Sequence, residues 1–273
     1  MKLTKTLEQG LTPGLGLRYA LRVAGKARLI PESKQLELEL VERPHYAYGL
    51  HLAAIEARGL GYSSVTAIEF GVAGGNGLLA LEEYAHLISE KVNINIQVVG
   101  FDTGHGLPAP VDYGDLPHLW AAGDFDMDID KLQSRLSTAE LRLGLVAESV
   151  PKYLESHSMD SPIGFVSFDL DLWSSTVDAF GIFRGQAEHC LPRTWCYFDD
   201  IVETVQDVGE LLAIDQFNEE SHGRKIRRPY MLRANVPFQP AWAEQLFQVH
   251  LFDNPRYTHL LTATENRNLP LRN

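Results

Sequence analysis

Val65-Thr-Ala-Ile-Glu-Phe70 is an apolar run interrupted by a single acid. It passes without a linker into Gly71-Val-Ala-Gly-Gly-Asn-Gly77 and then into a predicted helix, Leu78 to Lys91. A buried strand, a glycine turn and a helix in direct succession open a βαβ unit. Such units demand a parallel sheet with helices on both faces.

The alternation continues. Ile94–Phe101 reads as a second strand, Leu141–Val146 as a third and Gly164–Asp169 as a fourth. A helix is predicted from Val177 to Cys190, and a fifth strand over Trp195–Phe198. Phe247–Phe252 and Tyr257–Thr262 flank Asp253-Asn-Pro-Arg256 and predict an antiparallel hairpin, giving a mostly parallel α/β sheet of seven strands. Upstream, residues 45–58 show helical spacing of Tyr48, Leu52 and Ile55 before a Gly59/Gly61 stop, and residues 14–26 suit a short helix. Between the fifth strand and the hairpin, residues 201–246 predict a helix plus an insertion or lid near the active-site face. The basic run Arg224-Lys-Ile-Arg-Arg228 within them reads as solvated surface. The acidic stretch Gly123–Asp130 lacks the glycine and terminal Glu of an EF-hand, and reads as a loop capping a helix from Lys131 to Leu136. No break in composition divides residues 1–273, so one domain is expected, with residues 1–44 as an N-terminal extension.

A hydrophobic share of 45% in 273 residues is ample for a core. A formal net charge of -12 repels a phosphate backbone and argues against nucleic acid as a partner. With only Cys190 and Cys196, no disulfide framework forms, which suits a reducing cytoplasm. No run of 18 apolar residues and no signal-peptide core occurs, so neither membrane insertion nor secretion is expected. The partner expected is a small-molecule acceptor; a homo-oligomer is left open.

Three ligands compete for the glycine loop. A P-loop needs Lys-Ser/Thr where Leu78-Leu79 stand. A dinucleotide fingerprint, Gly75-Asn-Gly77-Leu-Leu-Ala80, begins four residues beyond the first glycine, which misplaces the tight turn. It leaves an NAD(P)-type oxidoreductase as the alternative, without a visible catalytic Tyr-Lys pair. The third pattern, Glu69-x-Gly71-x-x-x-Gly75, is the usual signature of S-adenosylmethionine binding. That ligand carries an ammonium and a carboxylate, so a carboxylate beside exposed backbone N–H groups is sensible chemistry. Candidate cofactor residues are Glu69, Gly71, Gly74, Gly75 and Asn76, with Asp102 and Thr103 at the end of the second strand. Asp102 falls 31 residues after Gly71, the length of a strand–helix–strand unit, where an acid can accept from both ribose hydroxyls.

The fourth strand runs into Asp169-Leu-Asp171, and the fifth into Asp199-Asp200. Like charges buried together are costly unless compensated, and a hard divalent cation is the usual compensation. The bland alternative is helix capping by Asp171, Ser174 or Ser175.

These motifs together resemble the macrocin O-methyltransferase family, metal-dependent class I methyltransferases of sugar hydroxyls. The resemblance covers roughly residues 45–205. It rests on Glu69-x-Gly71, Asp102 with Gly106-Leu-Pro108, Val150-Pro151, Asp169-x-Asp171-x-x-x-Ser175-Thr176 and Asp199-Asp200. It implies a Rossmann-like fold, S-adenosylmethionine as cofactor, and Asp169, Asp199 and Asp200 as ligands of a divalent cation, most readily Mg²⁺. Asp171 is then the candidate general base, with His105 second. Leu170, Trp173 and Gly104 depart from the family pattern. Trp120, Tyr113 and Trp173 are candidates to frame the acceptor. A non-catalytic protein of the same fold and a redox-iron hydroxylase are the remaining alternatives; no pair of metal-ligating His near the aspartates favours the latter.

Overall fold

A strand that is apolar on both faces finds a place only inside a sheet covered on both sides. β1 (Ser64–Phe70) is such a strand, buried from Val65 to Phe70. So is β4 (Ile163–Phe168), buried throughout. In the computed structural model, which describes residues 40–202, 208–236 and 239–259 together with Ala24, these two strands lie side by side in parallel at the centre of one sheet. The other strands are β2 (Asn95–Asp102), β3 (Glu140–Leu143), β5 (Cys190–Phe198), β6 (Arg224–Arg227) and β7 (Leu246–Leu251), in the order β3-β2-β1-β4-β5-β7-β6. The first five strands are parallel; β7 runs antiparallel to both neighbours. The sheet thus has the expected Rossmann-like form. The chain order reverses between β1 and β4, and ligands bind at such a switch point, beyond the carboxyl ends of the strands.

One face of the sheet is covered by α1 (Pro44–Gly59) and α2 (Asn76–Val92). Pro44 opens α1, where its missing N–H costs nothing. Gly49 lets the helix approach so closely that a Cβ there would stand 2.4 Å from the Phe165 ring. The opposite face packs on α4 (Val146–Ser156), α5 (Trp173–Ala179) and α6 (Glu210–Glu220). Short helices α3 (Ile129–Gln133) and α7 (Leu232–Asn235) complete the described elements; Asp128 caps α3 as the acidic loop predicts.

Four phenylalanines form a ladder across the sheet at one register: Phe101 opposite Phe70, Phe70 opposite Phe168, Phe168 opposite Phe198. All four are fully buried, and Phe168 and Phe198 stack with centroids 4.7 Å apart. The residues that follow them are Asp102, Gly71, Asp169 and Asp199, so the ladder is the apolar floor on which the polar edge of the sheet stands.

Several expectations need correction. The predicted helix at 14–26 lies outside the described residues except for Ala24. The predicted helix Val177–Cys190 is instead α5, ending at Ala179, followed by 3₁₀ turns at Phe180–Phe183 and Ala187–His189. Gly181 and Gly185 interrupt it, and Cys190 already begins β5. Val146 starts α4 rather than ending β3. The antiparallel partner of β7 is not Tyr257–Thr262 but the basic run. Arg224 pairs with Leu251 and Ile226 with Val249, so a segment read as solvated surface is the edge strand. Ile226 is its one buried apolar residue, and charged side chains are common on an exposed edge. Arg224 is held by Asp253 and the carbonyls of Phe183 and Gly185. After β7, the buried Asn254 amide donates to the carbonyls of Ala187 and Cys190 at 2.9 and 3.0 Å, pinning the chain away from a hairpin. Residues 252–259 are turns, and 260–262 lie outside the described residues. Among the described residues no helix is long and apolar enough to cross a membrane.

Candidate active site

The glycine loop is shaped by what lies behind it. Gly71 has φ 79° and abuts β4 so tightly that a Cβ would stand 1.7 Å from the Asp169 carbonyl oxygen. No other residue fits there. Gly75 caps α2 in the left-handed region with Leu132 against it, and does not face the cavity. Gly77 and Ala80 belong to α2 itself, so the dinucleotide fingerprint is mostly helix rather than loop.

Asp102 closes the loop from the next strand. Its Oδ2 accepts the Val72 and Ala73 N–H groups, both at 2.9 Å, and Oδ1 accepts Gly104 N–H at 2.7 Å. A carboxylate has about four acceptor positions, and three are already used. One acceptor position of this side chain is left towards the cavity. Thr103 donates to the Gly106 carbonyl at 2.6 Å and lines the same cavity. His105 is exposed and outside that lining; its N–H bonds the Thr103 hydroxyl.

Glu69 is 1% exposed. Its Oε1 accepts the Tyr46 hydroxyl at 2.7 Å, and Tyr46 in turn accepts from Ser167 at 2.8 Å. Its Oε2 has no hydrogen-bond partner. Burial, opposed by the Tyr46 bond, pushes its carboxyl up to about 8. The side chain lies over the first turn of α2, where a Cβ on Gly77 would come within 1.8 Å of it. A buried acid with a spare oxygen at a helix N-terminus is poised for a cationic ligand.

One cavity of about 320 Å³ joins this loop to the aspartates. Six carboxylates line it: Glu69, Asp102, Asp169, Asp171, Asp199 and Asp200. Among the described residues of its lining, Arg43 is the only cation. Gly71, Gly74 and Asn76 line it at the loop end, while Trp120 and Phe125 stand at another wall. Of the three aromatic candidates only Trp120 faces the cavity. Tyr113 is exposed, and Trp173 donates to Gln216 at 2.8 Å behind α5.

The aspartates are held from the backbone outward. Asp169 N–H continues the ladder to Phe70, and Asp199 N–H to Phe168. Asp199 Oδ1 accepts the Tyr197 hydroxyl at 2.6 Å, and Asp200 Oδ2 accepts Asp171 N–H at 3.1 Å. Asp171 itself has φ 59°, in the left-handed region, which Asp tolerates better than most non-glycine residues. The three predicted ligands share a cavity, yet among the described residues no three or more His, Cys, Asp or Glu converge on a common metal position. Asp169, Asp199 and Asp200 thus share the cavity wall without a common focus.

Neither Asp171 nor Ser174 or Ser175 caps α5. The cap comes from Asp115, fully buried in a distant loop. It accepts Ser174 N–H at 2.7 Å, the Ser174 hydroxyl at 3.0 Å and Val111 N–H at 2.8 Å. Glu210 is another acid with no signal in the sequence. Its Oε2 accepts Asp200 N–H at 3.1 Å, and burial followed by the nearby aspartates drives its carboxyl well upward. Arg43 and Tyr46 are also unmarked in the sequence, except that Pro44 announces the start of α1.

No protein-family model matches the sequence, and no match was found among curated proteins. Solved structures do match. A crystal structure of CalS11, calicheamicin methyltransferase, aligns over 92% of this chain and 90% of that chain at 20% identity, with a TM-score of 0.52. An apo structure of CalS11, TDP-rhamnose 3'-O-methyltransferase, aligns over 88% and 95% at 20% identity with a TM-score of 0.44. An O-methyltransferase from Bacillus cereus in complex with SAH aligns over 92% and 97% at 12% identity, with a TM-score of 0.39. The first of these likenesses establishes a shared fold.

Proposed function

We propose that this protein is an S-adenosylmethionine-dependent methyltransferase acting on a hydroxyl group of a small molecule, a sugar or a related natural product. The observation that carries the proposal is the single cavity in which the Gly71–Gly77 loop, Glu69 and Asp102 meet Asp169, Asp171, Asp199 and Asp200. The residues suit the cofactor. Glycines at 71 and 77 let β4 and the Glu69 carboxyl pack directly against the loop, and the orphaned Glu69 Oε2 awaits an ammonium. Asp102 retains room for one hydroxyl. The fold shared with CalS11, a calicheamicin methyltransferase, agrees with this reading.

When bound, the cofactor supplies a methyl group activated by a sulfonium. The chain's own task is alignment and removal of one proton. Asp171, held in its left-handed turn on the cavity wall, accepts the proton of the acceptor hydroxyl. Trp120 and Phe125 exclude water at the mouth and offer an apolar surface to the acceptor.

Calorimetry with S-adenosylhomocysteine and, separately, NADH tests the cofactor; binding of NADH alone would overturn the proposal. Transfer of labelled methyl to a panel of hydroxylated sugars and phenols, with and without chelator, tests the acceptor class and the metal independently. Asp171→Asn is expected to lower kcat at least ~100-fold, the usual range for loss of a general base, with S-adenosylhomocysteine affinity kept.

A further inference from the structure

We infer that Arg43 is the cofactor's carboxylate receptor, so that Arg43 and Glu69 together read the zwitterionic methionyl end of S-adenosylmethionine. The inference rests on the cofactor reading above and assigns a residue that the motifs do not contain. An amino-acid moiety bound in a cavity needs an anion for its ammonium and a cation for its carboxylate. Glu69 offers the first through a buried oxygen with no partner. For the second, two routes exist: backbone N–H groups of the glycine loop, or a cationic side chain. Of the loop N–H groups on the lining, those of Val72 and Ala73 are already taken by Asp102, which leaves Gly74, Asn76 and Gly77; a guanidinium adds the full charge that these neutral donors lack. Arg43 is the one cation among the described lining residues.

The placement of Arg43 is specific. It precedes α1 with φ 47° and ψ 56°, left-handed values that are unfavourable for a residue with a Cβ and more so before a proline. Strain of this kind persists where surrounding structure enforces it, and it clusters at ligand sites. The guanidinium lies over the Tyr46 ring, 5.3 Å from its centroid, and Tyr46 is the residue that donates to Glu69. Burial works against its charge, but neighbouring acids, Asp169 and Asp199 among them, favour it and raise its pKa. Arg43 thus sits where the glycine-loop end of the cavity meets the aspartates, as a group touching the methionyl end must. An acceptor phosphate would ask for the same chemistry, but the coupling of Arg43 to Glu69 favours the cofactor.

The test compares two ligands that differ only at that end. S-adenosylhomocysteine carries the amino acid, whereas 5'-methylthioadenosine keeps the nucleoside and thioether and lacks it. Arg43→Gly removes the side chain while suiting the left-handed backbone, so the variant is expected to fold; Arg43→Lys keeps a charge without the fork. Calorimetry of the full chain should show Arg43→Gly losing roughly 10- to 100-fold in S-adenosylhomocysteine affinity, the range for a charge-assisted contact, with methylthioadenosine affinity changed less than ~3-fold. Arg43→Lys should fall between. Equal losses for both ligands, or unchanged S-adenosylhomocysteine binding alongside a weakened acceptor, would overturn the assignment. Failure of the unmodified protein to bind either ligand would bring down the cofactor reading itself, and this inference with it.

Discussion

Replacing Glu69 by Gln changes one atom in a carboxyl that the fold buries completely and leaves half-satisfied. The amide oxygen still accepts the Tyr46 hydroxyl, and the amide nitrogen takes the place of the partnerless Oε2. What disappears is the ability to ionise. In the folded protein burial pushes this group from 4.5 to about 8. The unfolded chain therefore releases its proton near pH 4.5 while the folded chain holds it until about pH 8, so folding stability falls as pH rises through that window. At about 1.4 kcal/mol per pH unit, the Glu69 contribution to that fall is roughly 4 kcal/mol between pH 5 and pH 8. Other raised acids, Glu56 and Glu210 among them, are present in both proteins and cancel in the comparison. Urea unfolding of the ligand-free protein, followed by tryptophan fluorescence at both pH values, measures the effect. The stability lost on going from pH 5 to pH 8 should be smaller in Glu69→Gln by several kcal/mol, making the variant the more stable protein at pH 8. It should also bind S-adenosylhomocysteine more weakly, trading function for stability as a cationic-ligand site must. If the two proteins track each other within ~1 kcal/mol across the range, Glu69 is ionised in the free protein, and the account of a carboxyl waiting for its counter-ion is wrong.

Other substitutions probe the frame of the site. Gly71→Ala forces a methyl into the Asp169 carbonyl at positive φ; thermal unfolding should show a loss of more than ~3 kcal/mol, together with abolished S-adenosylhomocysteine binding. Asp102→Asn leaves one side-chain oxygen for three backbone N–H donors, so hydrogen exchange should accelerate at Val72, Ala73 and Gly104, and S-adenosylhomocysteine affinity should drop at least ~10-fold. Phe168→Ala opens the middle of the phenylalanine ladder and should cost about 3–5 kcal/mol in urea unfolding, with the midpoint shifting more than the slope.

The parts of this protein legible in its sequence are those whose physics is local. Apolar runs that end in Phe-Gly or Phe-Asp mark β1, β2, β4 and β5, because the last buried residue and the first polar one are adjacent in the chain. The glycine loop is legible for the same reason: strand, turn and helix follow within a dozen residues. β6 is not legible, since a single buried Ile226 among Arg and Lys carries no periodicity, and its pairing with β7 is settled by Asn254 bonding to carbonyls some 64 residues distant. Compensation of the aspartates is the most instructive case. Four acids at one sheet edge demand positive charge, and from the sequence alone a divalent cation is the economical answer. The fold adds compensation that no motif could show. Arg43 arrives from the start of α1 against Glu69, Asp169 and Asp199, Tyr197 donates to Asp199, and the Asp171 backbone donates to Asp200. Five other acids besides Glu69 line the cavity against one guanidinium, so an excess of acidic groups remains. Under the proposed function, that residual charge would favour the cationic S-adenosylmethionine over the neutral S-adenosylhomocysteine. Loss of the sulfonium charge on methyl transfer would then weaken the product's hold on the site, so the same acids that attract the cofactor would hasten release of what remains of it.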